Sequence, residues 1–282
     1  MKILVTGAKG QLGQEICQCL AAAGIAHKGV DISDFDLTDE VATLNAILAY
    51  RPDSVIHCAA YTAVDKAEAD RDLCYRINVT GTAHVAKACQ ELDARMLYVS
   101  TDYVFDGMGD APFETDAKIA PVNHYGQTKA LGEQEVISRL EKYFIVRISW
   151  VFGLYGSNFV KTMLRLGGQQ EVVRVVGDQV GSPTYVSDIA QLMCEMIQTE
   201  KYGVYHATNE GFCSWFEFAK EIIHQAGLPC RVDEIATSDY PTAAKRPFNS
   251  RLLKSSLDNA GFPRLPDWQD ALKRYLMAAN VT

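Results

Sequence analysis

The sequence predicts an α/β fold, a doubly wound parallel sheet with a smaller, closely packed C-terminal domain. Three observations carry this expectation. A short apolar run, Ile3-Leu4-Val5, leads directly into three glycines, Gly7, Gly10 and Gly13. Strand-like and helix-like segments then alternate through the first half, the pattern of a parallel sheet covered on both faces. The chemically distinctive residues fall just after the strand-like runs, where such sheets bind their ligands.

The elements follow in order. Lys2 to Val5 reads as a buried strand, and Gln11 to Ala23 as an amphipathic helix stopped by Gly24. A short strand near Lys28 to Val30 ends at Asp31. Glu40 to Tyr50 has helical spacing and is followed by Pro52; Ser54 to His57 is a second apolar strand. The spacing from Asp72 to Leu92 predicts one long helix, and Met96 to Val99 a strand running into Ser100-Thr101-Asp102. His124 to Leu140 is helical and Phe144 to Ile148 a strand.

The second half is less regular. Asn158 to Leu166 reads as a helix, Glu171 to Val176 as a strand, and Gly181-Ser182-Pro183-Thr184 as a turn before a helix reaching about Gln198. Tyr202 to Ala207 is a strand. Ser214-Trp215-Phe216-Glu217 fits a capping box opening a helix to Ala226, with Gly227 as its stop. Pro241, Pro247, Pro263 and Pro266 break up the remainder. No repeat or flexible linker interrupts the chain. Residues 1–152 are therefore expected to form a dinucleotide-binding domain, rejoined by the chain around 184–207, with 153–282 mainly a substrate-binding domain.

Composition bounds the function. The 282 residues are 48% hydrophobic, enough for a large core. A net charge of −8 argues against a nucleic-acid partner. The eight cysteines include no Cys-x-x-Cys pair and sit mostly in apolar surroundings, as reduced core thiols do. No residue set has metal-ligand spacing, so no metal is expected. With no signal peptide and no apolar stretch of the ~18 residues that span a bilayer, a cytoplasmic protein without a membrane partner is expected.

Gly7-Ala8-Lys9-Gly10-Gln11-Leu12-Gly13 follows the first strand and opens a helix. Glycines there permit a tight turn and close approach of phosphate, and the helix end offers free N–H groups to a pyrophosphate. Asp31, about twenty residues on, is placed to accept hydrogen bonds from a ribose, which favours NADH over NADPH; no arginine adjoins it in the chain. Tyr125 and Lys129 are four residues apart on a helix and share a face. A phenol beside a fixed positive charge becomes a stronger acid. Thr101, at a strand end two dozen residues earlier, adds a hydroxyl able to orient a carbonyl oxygen. Glycine loop, Thr101, Tyr125 and Lys129 together point to a nicotinamide-dependent carbonyl reductase with Tyr125 as proton donor.

At this level of detail the chain resembles the dTDP-4-dehydrorhamnose reductase family, within the extended short-chain dehydrogenase/reductases. The resemblance rests on Gly7 to Gly13, on Ala59-Ala60-Tyr61-Thr62-Ala63-Val64-Asp65, on Ser100-Thr101-Asp102-Tyr103-Val104-Phe105 and on Tyr125-Gly126-Gln127-Thr128-Lys129. It continues through Arg147-Ile148-Ser149-Trp150, Asn158-Phe159-Val160-Lys161, Gly181-Ser182-Pro183-Thr184 and Arg246-Pro247-Phe248-Asn249-Ser250-Arg251. It implies a Rossmann-like fold, NADPH or NADH as cofactor, and reduction of the C4 ketone of a dTDP-linked 4-keto-6-deoxyhexose by a monomer or homodimer. It further implies that Thr101, Tyr125 and Lys129 are catalytic. Gly10, Gln11, Leu12, Asp31, Ala59, Ala60 and Tyr61 would contact cofactor, with Asp36 and Leu37 beside the adenine. Asp102 and Trp150 would touch the sugar, and Lys161 and Arg246 would hold the diphosphate.

A sugar-nucleotide dehydratase is expected to carry Asp-Glu after the threonine, whereas Thr101 is followed by Asp102-Tyr103. An epimerase on the same fold, or a regulatory subunit of methionine adenosyltransferase, shares the nucleotide-binding segments; the intact Thr101, Tyr125 and Lys129 set argues for an enzyme.

Overall fold

A computed structural model describes residues 1–281. In chain order the first half contains β1 (Lys2–Thr6), α1 (Gln11–Ala22), β2 (Ala26–Val30), α2 (Glu40–Tyr50), β3 (Ser54–His57), α3 (Val64–Ala67), α4 (Arg71–Tyr75), α5 (Thr82–Leu92), β4 (Arg95–Thr101), α6 (His124–Arg139) and β5 (Tyr143–Ile148). The second half contains β6 (Val151–Phe152), α7 (Phe159–Gly167), β7 (Val172–Val176), β8 (Val180–Gly181), β9 (Thr184–Tyr185), α8 (Val186–Met196), β10 (Gly203–His206), β11 (Cys213–Ser214), α9 (Trp215–Gln225), β12 (Arg231–Ile235), α10 (Ser255–Ala260) and α11 (Trp268–Ala278).

Six parallel strands form the main sheet in the order β10-β5-β4-β3-β1-β2. The order reverses between β1 and β3, so a crevice opens there at the carboxyl ends of the strands. β1, β3 and β5 bury nearly every residue, so their centres are apolar on both faces, and the polar Thr6, Ser54, His57 and Arg147 are buried with them. On α1, Leu12, Ile16 and Leu20 recur every four residues and face the core. Fully burying each contributes about 2 kcal/mol. One apolar cluster extends from Ile3, Ile16 and Phe144 through Phe152, Val186 and Phe218 to Leu276, so both halves of the chain share a core.

Most of the expected elements are present within one or two residues. Local signals explain the match: Asp39, Asn123 and Asn158 each accept an N–H of the first turn of their helices, and Ser214 with Glu217 forms the full capping box. The single helix expected over Asp72 to Leu92 is not observed. Instead α4 and α5 are joined by a π-helical segment, Arg76–Gly81. Apolar spacing cannot reveal the wider i→i+5 turn, which often marks a functional region. Here it turns Asn78 inward, where its side chain accepts from Tyr61 N at 2.7 Å and donates to Thr128 Oγ1 at 3.0 Å. The proline-rich C-terminal part also holds more regular structure than the sequence suggests. β12 pairs in parallel with β7 as a separate two-stranded sheet, and α11 buries Trp268, Leu272, Tyr275 and Leu276.

Candidate active site

A cleft of about 990 Å³ lies over the strand-order reversal. Its walls include fifteen of the eighteen expected site residues: Gly7, Gly10, Gln11, Leu12, Gly13, Asp31, Asp36, Leu37, Ala59, Ala60, Thr101, Asp102, Tyr125, Lys129 and Trp150. Tyr61, Lys161 and Arg246 do not line it.

The glycine loop is shaped for a dinucleotide. Gly7 has φ +66°, and a Cβ there would stand 2.6 Å from Ala59 N. A Cβ on Gly13 would stand 2.2 Å from Gly7 O, so α1 packs against the loop only because that position is glycine. No side chain caps the first turn of α1, which leaves its N–H groups to an anion. These features fit a pyrophosphate. The exposed guanidinium of Arg76, from the π-helical segment, stands at the same cleft.

The adenosine end departs from expectation. Both Asp31 oxygens already hold backbone N–H groups: Oδ2 accepts from Lys9 N and Oδ1 from Ile32 N, each at 2.9 Å. Lys9 then sends its ammonium to Ser33 Oγ at 2.8 Å. A positive charge therefore does stand beside Asp31, contributed by the glycine loop. The sequence carried its signal in Lys9 itself, but only the fold brings positions 9, 31 and 33 together.

The reactive groups converge from β4 and α6. β4 ends at Thr101, and the Asn123 cap starts α6 so that Tyr125 and Lys129 face the strand end. Thr101 Oγ1 donates to Asp102 Oδ1 at 2.9 Å and accepts from Tyr103 N at 3.2 Å. Asp102 is buried, and its Oδ2 has no partner. Burial pushes its carboxyl up to about 6, with the nearby Ser250 and Thr101 hydroxyls pulling the other way. Lys129 Nζ donates to Val99 O at 2.7 Å and lies 3.9 Å from the centroid of the Tyr98 ring. Burial draws its ammonium down to about 7, while Glu133 pulls the other way.

The expected acidification of Tyr125 by Lys129 is reversed. Burial, followed by the Asp102 carboxylate, raises the phenol above its ordinary value, and contact with Thr101 only partly offsets this. Desolvating a phenolate and setting it beside a carboxylate cost more here than the Thr101 hydrogen bond returns.

The three residues outside the cleft are engaged elsewhere. Tyr61 donates its hydroxyl to Asp70 at 2.7 Å. Lys161 Nζ donates to Leu154 O at 2.6 Å and Gly156 O at 2.8 Å, so it closes the loop before α7. Arg246 Nη2 pairs with Asp65 Oδ2 at 2.5 Å. Their basic or phenolic character was legible, but which carbonyl or carboxylate each would meet was not. A buried network backs the site: Arg147 holds Glu133 through two bonds of 2.8 and 2.7 Å, Ser100 donates to Glu133, and Arg147 also donates to Thr115 O.

A dinucleotide-shaped glycine loop opposite a Thr-Tyr-Lys set defines a nicotinamide-dependent oxidoreductase of the short-chain type. Comparison with known proteins narrows this. The family model described as RmlD substrate binding domain matches residues 1–281. A dTDP-4-dehydrorhamnose reductase of Aggregatibacter actinomycetemcomitans is 40% identical, with the match covering 96% of this chain and 97% of that protein. The spore coat polysaccharide biosynthesis protein SpsK of Bacillus subtilis is 38% identical, covering 98% and 96%. The crystal structure of Bacillus anthracis dTDP-4-dehydrorhamnose reductase in complex with NADP matches at a TM-score of 0.96 and 43% identity, covering 99% of this chain and 100% of that one. The chain belongs to the RmlD substrate binding domain family.

Proposed function

We propose that this chain reduces the C4 ketone of dTDP-4-dehydro-L-rhamnose (dTDP-6-deoxy-L-lyxo-4-hexulose) to the alcohol of dTDP-L-rhamnose, using NADPH or NADH. The observation that carries the reading is the convergence of Thr101, Tyr125 and Lys129 on the cleft that also holds the glycine loop. Family membership supplies the substrate class.

Bound at the glycine loop, the nicotinamide cofactor supplies the hydride. Tyr125 supplies the proton. Its raised pKa keeps the phenol protonated at neutral pH, so it yields the proton only as charge develops on O4. Thr101 turns its O–H from Asp102 towards that oxygen and orients it. The Asp102 oxygens then accept from sugar hydroxyls, which relieves the buried unpartnered Oδ2. Lys129, with a pKa near 7, stabilises the phenolate left on Tyr125 and passes a proton back to it. In this reading the sugar nucleotide extends from the cleft, whose lining ends at Val151, towards the substrate-binding part expected over 153–282. The reading carries with it a cytoplasmic enzyme, monomeric or homodimeric.

The test is to generate the 4-keto sugar nucleotide enzymatically, add the protein, and follow NADPH and NADH oxidation with product analysis. Cofactor oxidation with dTDP-L-rhamnose formed supports the proposal. Folded protein that binds the dinucleotide but oxidises neither cofactor refutes it.

A further inference from the structure

Trp150 lines the cleft in an unusual backbone conformation. Its φ is +49°, a region that bulky side chains rarely adopt and that tends to mark functional positions. The chain is pinned on both sides of it. Ser149 Oγ donates to Ser182 O at 2.7 Å, Trp150 O accepts from Thr184 N at 3.1 Å, and β6 pairs with β9 immediately afterwards.

The indole is held as firmly as the backbone. Trp215 lies on it with ring centroids 3.7 Å apart and planes 14° apart, a nearly parallel stack. Phe159 braces Trp215 from α7 at 4.5 Å. A Cβ on Gly181 would fall 2.9 Å from Trp150 Cε2, so the ring rests on backbone that only glycine leaves bare. One short ladder organises these contacts: β8 ends at Gly181, β11 pairs with it and leads into Trp215, and the Ser214–Glu217 box fixes that first turn of α9. Trp215 itself does not line the cleft. Its connection to the cleft is the stack on Trp150.

We infer that Trp215 is a positioning residue for the sugar nucleotide, holding the Trp150 indole as a preset apolar wall against the sugar. The inference rests on the reductase reading for the identity of that ligand. An aromatic wall held in place before binding spares the ligand the cost of ordering it. The expected signature is an effect on sugar-nucleotide affinity alone, because the dinucleotide meets the glycine loop and not this stack.

The experiment compares Trp215→Ala, Trp215→Phe and Gly181→Ala in the full chain. For each, KM and kcat for the sugar nucleotide, NADPH affinity by dihydronicotinamide fluorescence, and the exciton-coupled circular dichroism of the stacked indoles are measured. Trp215→Ala is expected to abolish the exciton signal and raise KM between about twofold and tenfold, the span that an aromatic pair's geometry corresponds to. kcat and NADPH affinity stay within about twofold, the limit set by a change confined to one wall of the site. Trp215→Phe restores most of KM. Gly181→Ala, by displacing the indole from its other contact, raises KM in the same way. An unchanged KM in Trp215→Ala after loss of the exciton signal overturns the inference. So does a parallel fall in kcat and NADPH affinity, which marks a merely structural role. Indole quenching by the sugar nucleotide without turnover in the unaltered protein would instead overturn the reductase reading. The variants' dissociation constants from that quenching then take the place of KM.

Discussion

Replacing Lys9 with alanine removes a positive charge from the Asp31–Ser33 loop and tests how the adenosine end of the cleft tells NADPH from NADH. The Lys9 ammonium sits 2.8 Å from Ser33 Oγ, and both Asp31 oxygens are occupied by backbone N–H groups of Lys9 and Ile32. In folds of this class the adenosine ribose lies at the acidic residue ending β2, so a 2′-phosphate arrives beside Lys9 and Ser33. Two unit charges 4 Å apart in water attract by about 1 kcal/mol, and a phosphate carries nearly two. Screening at physiological salt leaves roughly 1.4 kcal/mol, a tenfold change in affinity. Calorimetric titration with NADP⁺ and NAD⁺ at two ionic strengths reads this directly. Lys9→Ala is expected to weaken NADP⁺ about tenfold, leave NAD⁺ within about twofold, and flatten the salt dependence of NADP⁺ binding. Equal weakening of both nucleotides, or of neither, would refute the electrostatic reasoning and leave Lys9 as a brace for the loop.

Tyr125→Phe keeps the ring packed edge-on against Tyr103 and removes only the acid, so turnover should fall about 10²- to 10⁴-fold with little change in Tm; near-normal turnover would exclude Tyr125 as the proton donor. The Asp102 carboxyl is raised from 3.8 to about 6, so the folded state holds its proton more tightly than the unfolded chain does. Stability from that protonation is complete below pH 3.8 and lost as pH rises through 6, and Asp102→Asn should therefore stabilise the fold by about 1 to 3 kcal/mol at pH 7 and much less at pH 4. A lower Tm for this variant at pH 7, measured by calorimetry, would contradict the sign. Glu133→Gln leaves Arg147 buried without its bidentate partner and should cost about 3–5 kcal/mol by denaturant unfolding; a loss below about 1 kcal/mol would mean that water reaches the site.

Much of this protein is written locally in its chain. The glycine spacing requires a tight strand-to-helix turn whatever surrounds it, because Gly7 has φ +66° and Gly13 packs on the loop backbone. Tyr125 and Lys129 share a helix face by the geometry of the helix itself. Thr101 is marked in the chain because it stands where the apolar run of its strand stops. These signals span a few residues each, and capping residues such as Asp39, Asn123 and Ser214 set the helix limits in the same local way.

Tertiary structure decided everything that depends on distant partners. Asp31 alone suggests a preference for NADH; the fold sets the Lys9 ammonium and Ser33 beside it as a counter-charge and a hydroxyl. Lys161 binds the Leu154 and Gly156 carbonyls and Arg246 pairs with Asp65, partners that no local spacing announces. The rise in the Tyr125 pKa comes from burial, which no pair of sequence positions encodes. The Trp150–Trp215 stack joins residues 65 apart through a two-residue ladder too short to have any periodicity. The chain by itself specifies backbone geometry and residue chemistry over a few turns. Long-range packing fixes desolvation and partnering, and these set the charge, orientation and availability of each group.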